Sequence, residues 1–126
     1  MKKKIPLDIE KTFYIEKKVS KGGSVTYYLM YTKNKTPRGR TKQCGYLRLY
    51  KDGFIDFVEI DEYLRGKGLG MFLYESALKD SKSIGTVYHQ ASDDAQRIWR
   101  KLCAKYSSKT DFFDGTIILR NIKKRK

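Results

Sequence analysis

The sequence has few of the residue types that build metal sites and disulfide frameworks. Its 126 residues include two cysteines, Cys44 and Cys103, and one histidine, His89. The cysteines lack the close spacing and the histidine neighbours of a zinc site, and a lone pair of cysteines in a reducing compartment is usually two free thiols. We therefore expect neither a metal centre nor a disulfide framework.

Long apolar runs are also missing. No apolar segment follows the basic start at residues 1–4, and no apolar run is long enough to span a bilayer. We therefore expect no signal peptide, no membrane association and a cytoplasmic protein. The length suits one domain, which we place at residues 1–122, followed by a basic tail at residues 123–126.

Acidic residues are scarce outside the middle of the chain, and the formal net charge is +14. Residues 1–51 carry 14 Lys/Arg against 3 Asp/Glu, residues 52–94 carry 4 against 9, and residues 95–126 carry 10 against 2. This distribution predicts anionic partners, such as cofactor phosphates, nucleic acid or an acidic protein. A polar loop is a candidate contact for nucleic acid or an acidic protein, or else a solvated hairpin loop. Its cations are Lys33, Lys35, Arg38, Arg40 and Lys42.

Strands and turns fill the first half of the chain. Thr12–Ile15 and Val25–Tyr31 are rich in β-branched and aromatic residues and are separated by a Gly-Gly turn, which predicts a hairpin. Gly45–Tyr50 alternates polar and apolar residues, and an Asp-Gly turn leads from it into the strand Phe54–Ile60. The first half is therefore predicted to be an antiparallel meander.

The second half alternates helices and strands. Helical spacing of apolar residues over Met71–Leu78 is followed by a strand at Ile84–Tyr88, a second helix capped by Ser92, and a last strand at Gly115–Ile122. The predicted apolar stripe of the second helix comprises Ala95, Ile98, Trp99, Leu102, Cys103 and Tyr106. We predict an α+β fold with a three-layer-like (α/β) arrangement. It has one mixed, mostly antiparallel central sheet and two main helices.

A glycine-rich turn separates the strand at Phe54 from the first of these helices. Gly66, Gly68 and Gly70 lie within five residues, so the backbone can turn without Cβ clashes and direct several N–H groups at one ligand. The start of a helix also favours negative charge. The turn therefore predicts a site for an anionic ligand such as a phosphate.

The order strand, Arg65-x-x-Gly68-x-Gly70, helix, strand, helix, strand resembles the GNAT superfamily of acyl-CoA-dependent N-acyltransferases, over roughly residues 54–102. The resemblance implies that acetyl-CoA binds with its pyrophosphate on the N–H groups of this turn and its pantetheine arm along the strand edge near Ile60. The acyl group would lie in a wedge between the strands Phe54–Asp61 and Ile84–Tyr88. The implied cofactor-binding residues are Ile60, Arg65, Gly66, Lys67, Gly68, Leu69, Gly70, Ser92 and Trp99.

The resemblance implies an N-acetyltransferase that acts on an amine, which we expect to belong to a protein or other macromolecule. Such a transfer needs a base near the amine. Glu59 is one candidate, because its side chain lies on the opposite face of the strand from its neighbours, although it could also be a solvated carboxylate or a partner of Arg65. Asp56 and Asp61 are alternatives. His89 is the second candidate, because its ordinary pKa suits proton transfer near neutral pH, or it is a structural hydrogen-bonder.

Departures from the family's pattern, together with the basic charge, favour an alternative function. Family members often have Asn where this chain has Ser92, and a Tyr that protonates the leaving CoA thiolate where it has Trp99. An indole N–H is not a usable acid, which leaves Tyr88 and Tyr106 as replacements. The first half also lacks a stretch resembling the family's two early helices, so the helical lid is shortened. The alternative is a catalytically impaired GNAT-like basic module that binds nucleic acid or an acidic protein.

Overall fold

The computed structural model describes residues 9–32, 42–111 and 113–124, without the side chain of Tyr63. Of the predicted basic loop, Lys33, Lys35, Arg38 and Arg40 therefore lie outside the described residues, and Lys42 lies within them.

The first half forms a four-stranded antiparallel sheet, as predicted. After one helical turn, α1 (Ile9–Thr12), come β1 (Phe13–Val19), β2 (Val25–Tyr31), β3 (Gln43–Leu49) and β4 (Ile55–Ile60), with the strands adjacent in chain order. Both predicted turns are present. The Ser20 N–H donates to Ser24 O at 2.8 Å in the first, and Gly53 adopts a φ of +89° in the second.

The second half contributes a separate three-stranded antiparallel sheet of β5 (Ser83–Val87), β6 (Tyr106–Asp111) and β7 (Thr116–Lys123), in the order β5-β7-β6. The two sheets meet at a parallel bridge between Phe54 and Gly85, where the Gly85 N–H donates to Gly53 O at 3.0 Å. The prediction of one continuous central sheet is therefore wrong. Beyond the bridge, β4 faces the first turns of the two main helices instead of β5.

The two main helices are α2 (Leu69–Ser81) and α3 (Asp93–Lys105), and single 3₁₀ turns precede them at Glu62–Leu64 and Tyr88–Gln90. Helix α2 contacts strands of both sheets, and α3 packs on β6, β7 and α2. Both sheets and both helices share one hydrophobic core, to which α2 contributes five buried side chains. These are Leu69, Leu73, Tyr74, Ala77 and Leu78. The predicted α+β class is confirmed, since the described residues form antiparallel sheets and three helices.

Two boundaries differ from the prediction. Tyr106 does not extend the stripe of α3 but begins β6, a strand that the sequence did not indicate. Strand β7 continues to Lys123, and the Lys124 N–H donates to Lys105 O at 3.0 Å, so these two residues of the expected tail pair with the fold. Within the described ranges, none of the helices is long and apolar enough to cross a membrane.

Candidate functional site

A cavity of about 720 Å³ opens between β4, the glycine turn and the first turns of α2 and α3. Strand β4 contributes Phe57–Ile60 to its wall, and the turn contributes residues 64–66 and 68. No described residue of β5 lines it, so the cavity lies between β4 and the helix starts and not between β4 and β5.

One wall of the cavity is the outer edge of β4. In an antiparallel pair, residues that exchange both backbone hydrogen bonds alternate with residues that exchange none. The Asp61 N–H donates to Cys44 O at 2.9 Å, which fixes this alternation along the β3–β4 register. Val58 and Ile60 therefore direct their N–H and C=O groups away from β3. The Arg65 Nε confirms this for Ile60, because it donates to the Ile60 carbonyl from that side at 3.1 Å.

The glycine turn forms the second wall and begins helix α2. Gly66 and Gly68 have φ values of +80° and +83°, a left-handed conformation that strains other residues. The first backbone bond of the helix runs from the Phe72 N–H to Gly68 O at 3.1 Å. The N–H groups of residues 69–71 precede it and have no acceptor within the helix. All three residues line the cavity, so the positive end of the helix dipole opens into it.

The first turn of α3 forms the third wall. The Ser92 Oγ accepts a hydrogen bond from the Ala95 N–H at 3.2 Å, which confirms the predicted helix cap. Helix α2 approaches α3 closely at Gly70, where a Cβ would lie 2.7 Å from Ile98 Cδ1. This approach brings the starts of both helices to the same cavity.

Positive side chains outnumber negative ones at the cavity. Its lining includes three cations, Arg65, Arg97 and Lys101, and two carboxylates, Glu59 and Asp94. Asp94 forms an ion pair with Arg97, in which both side chains are exposed. The positive helix terminus and this excess of cations favour an anionic group in the cavity.

Most of the predicted cofactor-binding residues come together here. The cavity is lined by Ile60, Arg65, Gly66, Gly68, Leu69, Gly70 and Ser92, together with the predicted base Glu59. Lys67 is exposed within the turn and does not line the cavity. The alternative bases lie outside it as well. Asp56 pairs with Arg48 at 2.7 Å, and hydrogen bonds from Tyr50 and Arg48 hold the pKa of Asp56 below its ordinary value.

Trp99 and His89 lie apart from these residues. Trp99 is fully buried and does not line the cavity, so it belongs to the core. Among the described residues, its Nε1 has no hydrogen-bond partner. His89 is exposed in the 3₁₀ turn after β5, with its ring against Gly115. The structure thus does not bring His89 to the other candidates.

The two alternative acids also bond outside the cavity. The Tyr88 hydroxyl accepts a hydrogen bond from Arg100 Nη1 at 3.1 Å, and the buried Tyr106 hydroxyl donates to Glu75. Neither residue is part of the cavity wall.

Tyr74 is a residue of this site that the sequence reasoning missed. It lines the cavity, is 2% exposed, and its ring lies edge-on to Trp99 with 5.8 Å between the centroids. Burial raises the pKa of Tyr74 to about 12, against a smaller opposing effect of the Trp99 side chain. A sequence signal existed, because Tyr74 follows Gly70 by four residues and therefore lies on the same face of α2.

Comparisons with known proteins add no family. No protein-family model matches the sequence, and no curated protein matches it. Among solved structures, the chain is similar to the solution structure of the apo form of YjaB from Escherichia coli, with a TM-score of 0.41 and 20% sequence identity. The match covers 75% of this chain, which spans 60% of YjaB. A likeness at this TM-score is too distant to indicate a function.

Proposed function

We propose that this protein is a GNAT-like N-acetyltransferase that binds acetyl-CoA in the cavity beside β4 and transfers the acetyl group to an amine of a protein or other macromolecule. One observation carries the proposal. The unsatisfied N–H groups at the start of α2 and the outward-facing groups of Val58 and Ile60 open into the same cavity.

The arrangement of the strands supports a GNAT-like fold. The resemblance implies a wedge between two strands that splay apart, and β4 and β5 share one isolated parallel bridge at Phe54 and Gly85. The cavity lies further along β4, between this strand and the first turns of α2 and α3. Before β4, the described residues form only one helical turn, α1, so they provide no pair of helices over the cavity. An uncovered cavity suits an amine on a macromolecule better than a small enclosed acceptor.

The residues present fit acetyl-CoA. A volume of about 720 Å³ lies in the range of ligand pockets, and the turn offers backbone donors for a pyrophosphate. Arg65 and Lys101 add positive charge at the rim. On the edge of β4, the N–H and C=O groups of Val58 and the N–H group of Ile60 can form hydrogen bonds with the amides of a pantetheine arm. When bound, acetyl-CoA supplies the acetyl group as a thioester.

Two side chains of the cavity supply acid–base chemistry in this proposal. Glu59 accepts a proton from the amine, directly or through one water, as the amine nitrogen bonds to the acetyl carbon. Tyr74 would hold the proton at its hydroxyl and would supply it to the thiolate that leaves as the amine is acetylated. With a pKa of about 12, raised by burial, the Tyr74 hydroxyl is protonated at neutral pH and is a weaker acid than an ordinary tyrosine. Tyr74 thus takes the place of the family's tyrosine, whose matching position is held by Trp99.

Titration calorimetry with acetyl-CoA tests the cofactor claim. We expect the native chain to bind, and Gly68→Glu to abolish binding, because it places a carboxylate at the anion site and strains a residue with a φ of +83°. Gly22→Glu is the matched control. It adds the same charge in the β1–β2 turn, where a Cβ would meet only Ser20 Oγ at 3.9 Å. Thermal melting verifies that both variants fold, and failure of the native chain to bind refutes the proposal.

Transfer is tested separately with isotopically labelled acetyl-CoA and amines of three classes: a polyamine, a lysine-containing peptide and a mixture of folded proteins. Label on any of these amines supports the acetyltransferase. Binding without transfer favours the alternative of a binding module without turnover, for which the buried Trp99 is the motivating observation.

A further inference from the structure

The four-stranded sheet has one face turned away from α2. On the covered face, the Tyr27 hydroxyl and the Lys17 Nζ both bond to Asp80, near the end of α2, at 2.8 Å each. Because successive side chains of a strand point to opposite faces, Lys18 and Tyr28 point to the other face. We call this other face the tyrosine face, and define it by Tyr14, Lys18, Tyr28, Tyr46, Arg48 and Phe57.

Aromatic rings form a row across the tyrosine face. Tyr28 and Tyr46 are direct cross-strand partners with ring centroids 6.3 Å apart, and Tyr46 stacks on Phe57 at 5.8 Å. Phe57 is 47% exposed and Tyr14, on the edge strand, is 38% exposed. A row of rings that contact one another and still meet solvent offers successive flat surfaces to a ligand.

Cations accompany the rings. The Lys18 Nζ lies 5.6 Å from the centroid of the Tyr28 ring, and the guanidinium of Arg48 lies 6.0 Å from that of Tyr46. At the edge strand, the Lys42 Nζ lies 5.3 Å from the Tyr14 ring.

Carboxylates also lie beside the rings on this face. Glu16 is the cross-strand partner of Tyr28, and Glu59 is the cross-strand partner of Tyr46. A third carboxylate, Asp56, is paired with Arg48.

We propose that the tyrosine face binds single-stranded nucleic acid. Base–aromatic stacking on a surface that also carries cations for phosphates is how sheet surfaces hold unpaired strands. An acidic peptide would use the cations but leave the row of rings without a role. A second copy of this chain would bring another protein of net charge +14 against the same cations.

The proposal goes beyond acetyl transfer and stands without it, although the two surfaces are continuous. Phe57 belongs to the tyrosine face and also lines the cavity, as does Glu59 beside Tyr46. A nucleic-acid strand bound across Tyr28 and Tyr46 therefore ends at the mouth of the cavity.

Fluorescence anisotropy with the full chain tests the proposal. The probes are labelled oligo(U) and oligo(dT) of about 12 nucleotides, within the range of site sizes of such surfaces. Tyr28→Leu and Tyr46→Leu remove a ring and keep apolar bulk. We expect each to weaken binding between about fivefold and a hundredfold. Phe113→Leu is the matched control, because Phe113 is a fully exposed ring outside this sheet, and we expect no change.

A second pair of variants separates phosphate contact from general charge. Lys18→Gln and Lys109→Gln each remove one positive charge, but Lys109 lies in β6 on the other sheet. For Lys18→Gln we expect the slope of log affinity against log salt to become shallower by about 0.7, the contribution of one phosphate contact to a single strand. For Lys109→Gln we expect no change in slope.

Three results overturn the proposal. One is the absence of single-strand binding by the native chain. Another is equal binding of duplex and single strands with no effect of the tyrosine variants, which indicates general charge attraction. The third is tight binding of a labelled polyglutamate peptide where the oligonucleotides do not bind. If a tyrosine variant fails to melt cooperatively, Phe57→Leu replaces it. Acetyl-CoA calorimetry on the same variants shows whether the cavity remains intact.

Discussion

Glu75→Gln tests the hydrogen bonds that connect α2 to the end of α3 and the start of β6. Glu75 accepts hydrogen bonds from the Lys105 Nζ at 2.7 Å and from the buried Tyr106 hydroxyl, and its own side chain is only 18% exposed. Burial raises the pKa of Glu75, but the hydrogen bonds from Lys105 and Tyr106 outweigh it, so that the pKa lies below its ordinary value. The substitution removes the charge and nearly preserves the shape.

The expected loss of unfolding free energy is about 2 kcal/mol. A hydrogen bond to a charged group contributes about 1.5–3 kcal/mol. The Lys105 side chain is 45% exposed, so its pair contributes at most about 1 kcal/mol, and the Tyr106 bond dominates. The glutamine oxygen can still accept one bond, which reduces the loss. For a chain of this length, the melting temperature should fall by about 6–10 °C.

The pH dependence has a definite sign. Because the pKa of Glu75 is lower in the folded state, its contribution is fully present above its ordinary pKa of 4.5 and is lost as the pH falls through the folded value. The difference in unfolding free energy between the native chain and the variant should therefore be constant from about pH 6 to pH 8 and become smaller below about pH 4.5.

Urea unfolding followed by the fluorescence of Trp99, the single buried tryptophan, measures this difference. Glu16→Gln, an exposed carboxylate on β1, is the control and should change stability by less than about 0.5 kcal/mol. Tyr106→Phe removes the same hydrogen bond, so the double variant should lose less than the sum of the single losses. Equal midpoints for Glu75→Gln and the native chain, or strict additivity, would refute the reasoning.

Two further substitutions probe the cavity. Tyr74→Phe should leave the affinity for acetyl-CoA within about threefold and lower kcat by about 10²-fold or more, the usual contribution of a positioned acid; an unchanged kcat removes Tyr74 from the chemistry. Gly45→Ala should destabilise the chain by about 1–3 kcal/mol and weaken acetyl-CoA binding, because the new Cβ lies 2.5 Å from the Glu59 carbonyl oxygen and displaces β4. Gly22→Ala, with nothing nearer than 3.9 Å, is its control, and equal urea midpoints for the two variants contradict the argument.

The sequence predicted the elements whose signals are local. The Gly-Gly and Asp-Gly turns predicted the meander, and Ser92 predicted the start of α3. Strand β6 was missed because its residues after Tyr106 are polar and because α3 passes into it without a glycine or proline. Its pairing with β7 is a tertiary interaction, which no local pattern reports. The division into two sheets was missed for the same reason. It depends on the tertiary packing of the helix starts, instead of β5, beside most of β4.

Part of the candidate site was predicted from the sequence and part was not. The turn from Arg65 to Gly70 was predicted, because the left-handed φ values at Gly66 and Gly68 favour glycine, and glycines are visible in the sequence. Glu59 lies in the cavity wall, but strand alternation does not explain this, because its neighbours Val58 and Ile60 line the cavity as well. The absence of His89 from the cavity and the presence of Tyr74 did not follow from the sequence, because they depend on the path of the chain after β5 and on the face of α2 that the cavity meets.

The bridge between Phe54 and Gly85 has a consequence for motion. Side chains in a shared core, more than backbone ladders, hold the two sheets together, so fluctuations that part them should cost less than unfolding either sheet. The amide hydrogen of Gly85, bonded across the junction to Gly53 O, reports such opening directly. Its rate of exchange with deuterated solvent, compared with amides in the middle of β2 and β3, measures how often the junction between the two sheets opens.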